Sequence, residues 1–154
     1  MNRFLIGSRT FPIFLIAVLH TCLSISSTFA ADAAEELKLF SGTWQPKEAS
    51  LGGNIIDKAV LDKAKVIFDK DKYTLTIDEK VEQGSFTVDP MKSPKTMDIY
   101  PTSGDNNGKT FWTIYELDGD KLTVSYSLTA GVRPEDFKPL SNTLLVVKYE
   151  RLKE

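Results

Sequence analysis

The chain has 154 residues, a formal net charge of −2 at neutral pH, 26% charged side chains, one cysteine and one histidine. Acidic and basic residues are interspersed, and no basic patch with interleaved aromatics occurs, which argues against nucleic acid as a partner. The mild acidity mainly favours solubility.

Residues 1–30 read as an export address. Arg3 and Arg9 form a positive start, Phe11 to Leu19 is an apolar run, and small or polar residues lead to Thr28-Phe29-Ala30. This is the pattern of a secretory signal peptide cleaved after Ala30. An uncleaved anchor would need an apolar run of about 20 residues. Lipid attachment at Cys22 would need small residues before it, where Leu19-His20-Thr21 stands. Residues 31–40 are then a short charged lead-in, and 41–154 a single domain.

Cleavage would remove Cys22 and His20, and with them any disulfide, any zinc site built on Cys or His, and Ser-His or Cys-His catalysis. The 19 basic residues less Arg3 and Arg9 leave 17 against 21 acidic ones. No stable membrane insertion is expected of the processed chain.

Gly42-Thr43-Trp44 opens the first strand, which continues to Ala49. Pro46 has no N–H to give a ladder, so this strand should carry a bulge or lie at an edge. Leu51-Gly52-Gly53-Asn54 breaks it. The segment from Asp57 to Ala64 has helix formers with Asp57 as the cap, so one short helix is expected there, placed to close one end of a barrel. From Val66 on, the apolar period becomes two. Val66 and Phe68, then Tyr73, Leu75 and Ile77, form a hairpin around the turn Asp69–Lys72.

A turn from Asp78 to Val81 precedes the strand Gly84–Val88, which Asp89-Pro90 ends. Thr96–Tyr100 is a short strand, and Pro101 to Gly108 a polar loop. In Thr110–Leu117, Phe111, Thr113, Tyr115 and Leu117 share the inward face and Trp112, Ile114 and Glu116 the outward one. Asp118-Gly119 signals a hairpin into Lys121–Leu128, with Leu122, Val124, Tyr126 and Leu128 inward. A loop from Ala130 to Ser141 holds Arg133-Pro134 and Pro139. The unbroken apolar run of the last strand, Leu144–Tyr149, implies cover on both faces.

About eight short strands joined mostly by hairpins, with one short helix after the first, predict an all-β fold: an up-and-down antiparallel barrel whose closure removes exposed edges. At that strand number the interior is either filled by side chains or holds one small ligand. The segments Phe68–Thr76 and Leu117–Ser125 echo each other, as an internal repeat or as two hairpins with the same turn chemistry.

Gly42-Thr43-Trp44 resembles the Gly-x-Trp signature of lipocalins. Gly84–Pro90, Pro94–Ile99, Gly108–Thr110, Ile114–Asp120 and Arg133-Pro134 with Phe137 resemble, in order, small exported lipocalin-like proteins abundant in planctomycete bacteria. This resemblance spans about residues 38–152. It implies a barrel and an exported location but no activity. It also implies that a basic residue at the end of the last strand, here Arg151, packs over Trp44.

Several constellations have plainer accounts. Gly104 to Thr110 lacks the spacing and the following helix of a phosphate loop. Asp69 with Asp71, and Asp118 with Asp120, fall short of the six or more oxygens a calcium ion takes. Glu48, Glu82 and Glu116 lie on strands, where a polar outer face accounts for them and paired-carboxylate catalysis would need them to converge. Phe86, Phe111, Tyr115 and Tyr126 form an inward aromatic set that is either core or the lining of an apolar pocket. Arg133 either caps the barrel mouth and attracts an anionic head group or is a surface arginine held by a carboxylate.

The expectation is therefore an exported monomer with no cofactor, no metal and no enzymatic role, binding a small apolar or amphipathic molecule in the barrel. The alternative is a structural or protein-interaction module with a filled core, for which Trp112 is the exposed contact.

Overall fold

A computed structural model describes residues 25–138 and 142–153, with side chains described from Ala30 onward. Arg3, Arg9, the apolar run 11–19, His20, Cys22 and the loop residue Pro139 lie outside the described residues.

Two helices and nine strands follow in order: α1 (Ile25–Phe40), β1 (Gly42–Leu51), β2 (Asn54–Ile55), α2 (Lys58–Leu61), β3 (Ala64–Asp69), β4 (Lys72–Ile77), β5 (Lys80–Asp89), β6 (Lys95–Pro101), β7 (Phe111–Asp118), β8 (Lys121–Ser127) and β9 (Leu144–Arg151). Every pairing is antiparallel. From β3 to β9 each strand pairs with its successor, and β1 pairs with both β3 and β9. Eight strands thus close into an up-and-down barrel, with the two-residue β2 as a flap on β1. The end where β1 begins is called the foot here, and the opposite end the mouth.

Local chemistry accounts for the connections. The register of β1 against β9 shifts between Pro46 and Glu48, a bulge at the proline that cannot donate to the ladder. Gly52 and Gly53 turn the chain at φ 58° and 82°. Asp57 caps α2, accepting from the Ala59 N–H at 2.8 Å, and α2 ends at Leu61, short of the Ala64 expected. Leu61 of that turn is buried in the core, closing part of the mouth. The two echoing hairpins share a geometry: Lys70 and Gly119 occupy equivalent places with φ of 55° and 56°. A left-handed residue at that place fits the twist of the flanking strands.

Residues 31–40, read as a lead-in, belong to α1. Its last residue, Phe40, enters the foot of the barrel edge-on to Phe68, Phe86 and Tyr115, at centroid distances of 5.6, 5.5 and 5.1 Å. Trp44 is fully buried beside it and donates its indole N–H to the Phe40 carbonyl at 2.6 Å. Arg151 pairs with Trp44 across the β1–β9 seam, and its guanidinium carbon stands 4.2 Å from the ring centroid. The same guanidinium donates to the Leu39 carbonyl at 2.7 Å and to the Ser41 carbonyl. Carbonyls at the end of a helix have no partner within it, so Arg151 ties α1 to the barrel while stacking on the indole.

Candidate functional site

Alternation along the strands sorts side chains into lumen and outer wall. At the foot the lumen is dry: Phe40, Trp44, Phe86, Met97 and Tyr115 are each 1% exposed or less. Phe86 and Tyr115 of the expected aromatic set belong to this plug. The Tyr115 hydroxyl donates to Glu36 of α1 at 2.9 Å, and Lys95 reaches the same carboxylate oxygen at 2.7 Å. Burial and that carboxylate hold the Tyr115 phenol above its ordinary value. Phe86 and Tyr115 therefore serve the core.

Toward the mouth the lining changes character. Inward-facing Leu75, Glu82, Phe111, Tyr126 and Leu145 are only partly buried. Phe111 and Tyr126 are thus brought together with this upper lumen, not with the plug. Glu82 sits opposite Leu75 in the β4–β5 register, two residues along from the Tyr73–Gly84 pair, so it faces the lumen. This corrects its assignment to the polar outer face. Its inward face was hidden in the sequence because Asp78 to Val81 reads as a turn, whereas β5 starts at Lys80 and carries the alternation back through Glu82.

Glu82 is held from two sides. Its Oε1 accepts from the Tyr73 hydroxyl at 2.8 Å, and its Oε2 from the Asn106 amide at 2.7 Å. Gly84 makes room for Tyr73: a Cβ there would stand 2.6 Å from Tyr73 Cε1 and 2.9 Å from Pro101 Cα. Across the lumen the Tyr126 and Tyr149 hydroxyls are 3.0 Å apart. Tyr126 senses the other three. Tyr126 is raised well above the ordinary phenol value by burial first, then by Tyr149, Tyr73 and Glu82. Burial pushes Tyr149 up to about 12, with the Tyr126 hydrogen bond acting in the opposite sense. Tyr73 is raised by burial and by its bond to Glu82. Near neutral pH these phenols are protonated, so they offer hydrogen bonds and ring faces and not phenolate.

The other sequence candidates lie elsewhere. Arg133 is on the outer wall and not at the mouth. It forms an ion pair with Asp98 at 2.5 Å, donates to the Thr113 carbonyl at 2.7 Å and lies 5.9 Å from the Trp112 ring centroid. This is the surface arginine held by a carboxylate. By reaching β6 and β7 it straps the loop after β8 across the outer wall, where Ile114, Ser125 and Val146 form one cross-strand row, all buried. Val146 and Val147 on opposite faces of β9 are both buried, as the unbroken apolar run implies. Trp112 remains 39% exposed. Glu116 is exposed on the outer wall, and Glu48 is exposed and paired with Lys148 at 2.7 Å, so neither converges with Glu82.

Two clefts open on the outside of the barrel. One of about 430 Å³ is lined by Lys92–Lys95 and Tyr115–Leu117 at the foot, and one of about 290 Å³ lies over β4 and β5 near Tyr73 and Gln83–Ser85. Among the described residues no cluster of three His, Cys, Asp or Glu side chains is placed to hold a metal, and no helix is long and apolar enough to cross a membrane. No family model, no curated protein and no solved structure matches the chain.

Proposed function

We propose that this protein is an exported, lipocalin-like carrier or sensor that takes a small amphipathic molecule into the mouth half of its barrel. The observation that carries this reading is the gradient of burial along the lumen. The foot is sealed by Phe40 and Trp44, while Leu75, Phe111, Tyr126 and Leu145 keep apolar surface accessible around a polar cluster. Apolar walls with a few convergent polar groups are the usual composition of a small-molecule site. A ligand of about 20 heavy atoms at ~0.3 kcal/mol per atom would bind with a Kd near tens of micromolar.

Titration with the apolar fluorophore N-phenyl-1-naphthylamine tests the reading, together with native mass spectrometry of protein purified from its own host. Saturable binding that Phe111→Arg abolishes is the expected result. The absence of both fluorophore binding at 200 µM, roughly five times the Kd that about 6 kcal/mol gives, and any bound mass would overturn it.

The half-exposed Trp112 favours a second reading, a protein-interaction module with a filled core. An exposed indole on an outer wall is a common anchor for a partner. A partner captured by the unmutated protein and lost with Trp112→Ser would support this reading over the first.

A further inference from the structure

Resting on the lumen reading, we propose that the ligand carries a positively charged nitrogen, which Glu82 receives beside the phenols of Tyr73, Tyr126 and Tyr149. Glu82 is an ionisable side chain on the lumen face of β5, partly withdrawn from water. Both groups that touch it, the Tyr73 hydroxyl and the Asn106 amide, are neutral. Among the described residues no lysine or arginine pairs with it. Lys80 is engaged by Asp105 at 2.8 Å, and Lys109 binds the far end of the same Asn106 amide at 2.9 Å. A carboxylate oxygen has more than one lone-pair direction, so each oxygen of Glu82 still has capacity to accept.

The surroundings suit a cation. Partly buried carboxylates are usually paired, and a ligand ammonium would supply the missing charge. Aromatic rings around a cationic nitrogen add attraction through their faces, more so as water is excluded. The Tyr126–Tyr149 hydroxyl pair spends one proton on its own hydrogen bond and leaves the other for a ligand acceptor. The apolar remainder of the ligand would lie against Leu75, Phe111 and Leu145. The same geometry disfavours fatty-acid-like anions, which would bring a second negative charge to Glu82.

The test is displacement of N-phenyl-1-naphthylamine by three compounds of equal chain length: octylammonium, octanol and octanoate. Octylammonium should displace at about tenfold lower concentration than octanol, roughly 1.4 kcal/mol, with octanoate weakest. Glu82→Gln should bring octylammonium and octanol within about twofold of each other, by removing the charge that separates them. Glu116→Gln, which changes net charge equally on the outer wall, should leave the tenfold preference intact.

If Glu82→Gln fails to fold, Leu75→Lys serves instead, because it places an ammonium directly opposite Glu82 and should also erase the preference. Fluorophore binding with octanol as good as octylammonium overturns the charge assignment and leaves the lumen reading standing. Loss of the preference in Glu116→Gln overturns it in favour of general surface charge. Failure of the fluorophore and all three compounds to bind overturns both.

Discussion

Arg151→Ala is expected to lower the melting temperature by about 10 °C, because one side chain joins three parts of the molecule. Its guanidinium lies 4.2 Å from the Trp44 ring centroid, against a ring with no exposure to solvent. Such a contact contributes about 1–2 kcal/mol where water is partly excluded. The two hydrogen bonds to the Leu39 and Ser41 carbonyls add about 1 kcal/mol each, discounted for the 23% exposure of the side chain. The pair with Asp120 adds little, since that carboxylate is 59% exposed. The total is about 3 kcal/mol. For a domain of this size each kcal/mol moves the melting temperature by about 3–4 °C.

Differential scanning calorimetry of the full chain measures the shift directly. Arg151→Lys separates the contributions. It keeps a charge over the indole, but one ammonium cannot span two carbonyls in the planar fork of a guanidinium. It should recover about half of the loss. An alanine variant within 2 °C of the unmutated protein, about half a kcal/mol on that scale, would refute the account of the foot. A lysine variant equal to the unmutated protein would show that the fork to α1 carries no stability.

Gly84→Ala should destabilise by about 1–3 kcal/mol, because the new methyl would meet Tyr73 and the backbone at Tyr100 and Pro101; urea unfolding reads the change. The buried phenols predict loss of stability in alkali: their folded-state values lie above the unfolded value of about 10. Their contribution is complete below pH 10 and is lost as pH rises through the folded values, with Tyr149 alone accounting for about 2–3 kcal/mol by pH 12. Absorbance at 295 nm should therefore show the buried tyrosines ionising together with unfolding, and Tyr149→Phe should move that transition to higher pH. Arg133→Ala should free the strap and leave the barrel intact: amide exchange of residues 128–138 should quicken at least tenfold, corresponding to ~1.4 kcal/mol of local stability, while β3 and β4 keep their protection.

The barrel was legible in the sequence because one physical rule repeats along it. A half-buried strand must alternate, a proline in a ladder must sit at an irregularity, and a two-residue turn needs a residue tolerant of left-handed backbone. Those rules placed the hairpins and the disturbance near Pro46, while the contact of Arg151 with Trp44 was implied by the resemblance to lipocalins. The helix at the foot was not legible by the same means. Residues 31–40 are polar enough to pass for a linker, and their helical state rests on tertiary packing of Ala33, Leu37 and Phe40 against the barrel. Nor was the outer-wall strap, since the burial of Ser125 and Ser127 depends on a loop that carries no periodicity of its own.

The site was half legible, and the missing half has a specific cause. Aromatic residues at every second position mark the lumen, so Phe111 and Tyr126 could be placed inside from alternation alone. A glutamate at such a position is assigned outward by the same reasoning, because solvation of a carboxylate outweighs a single alternation step. What reverses that preference at Glu82 is supplied from elsewhere in the chain: a phenol from β4, and an amide from the loop between β6 and β7. Gly84 has a part in it too, since only a residue without Cβ lets the Tyr73 ring lie across β5 and reach two residues along that strand. The short stretch Glu82-Gln83-Gly84 thus holds both the charge and the space that turns it inward. Neither is visible until the Tyr73–Gly84 register is known.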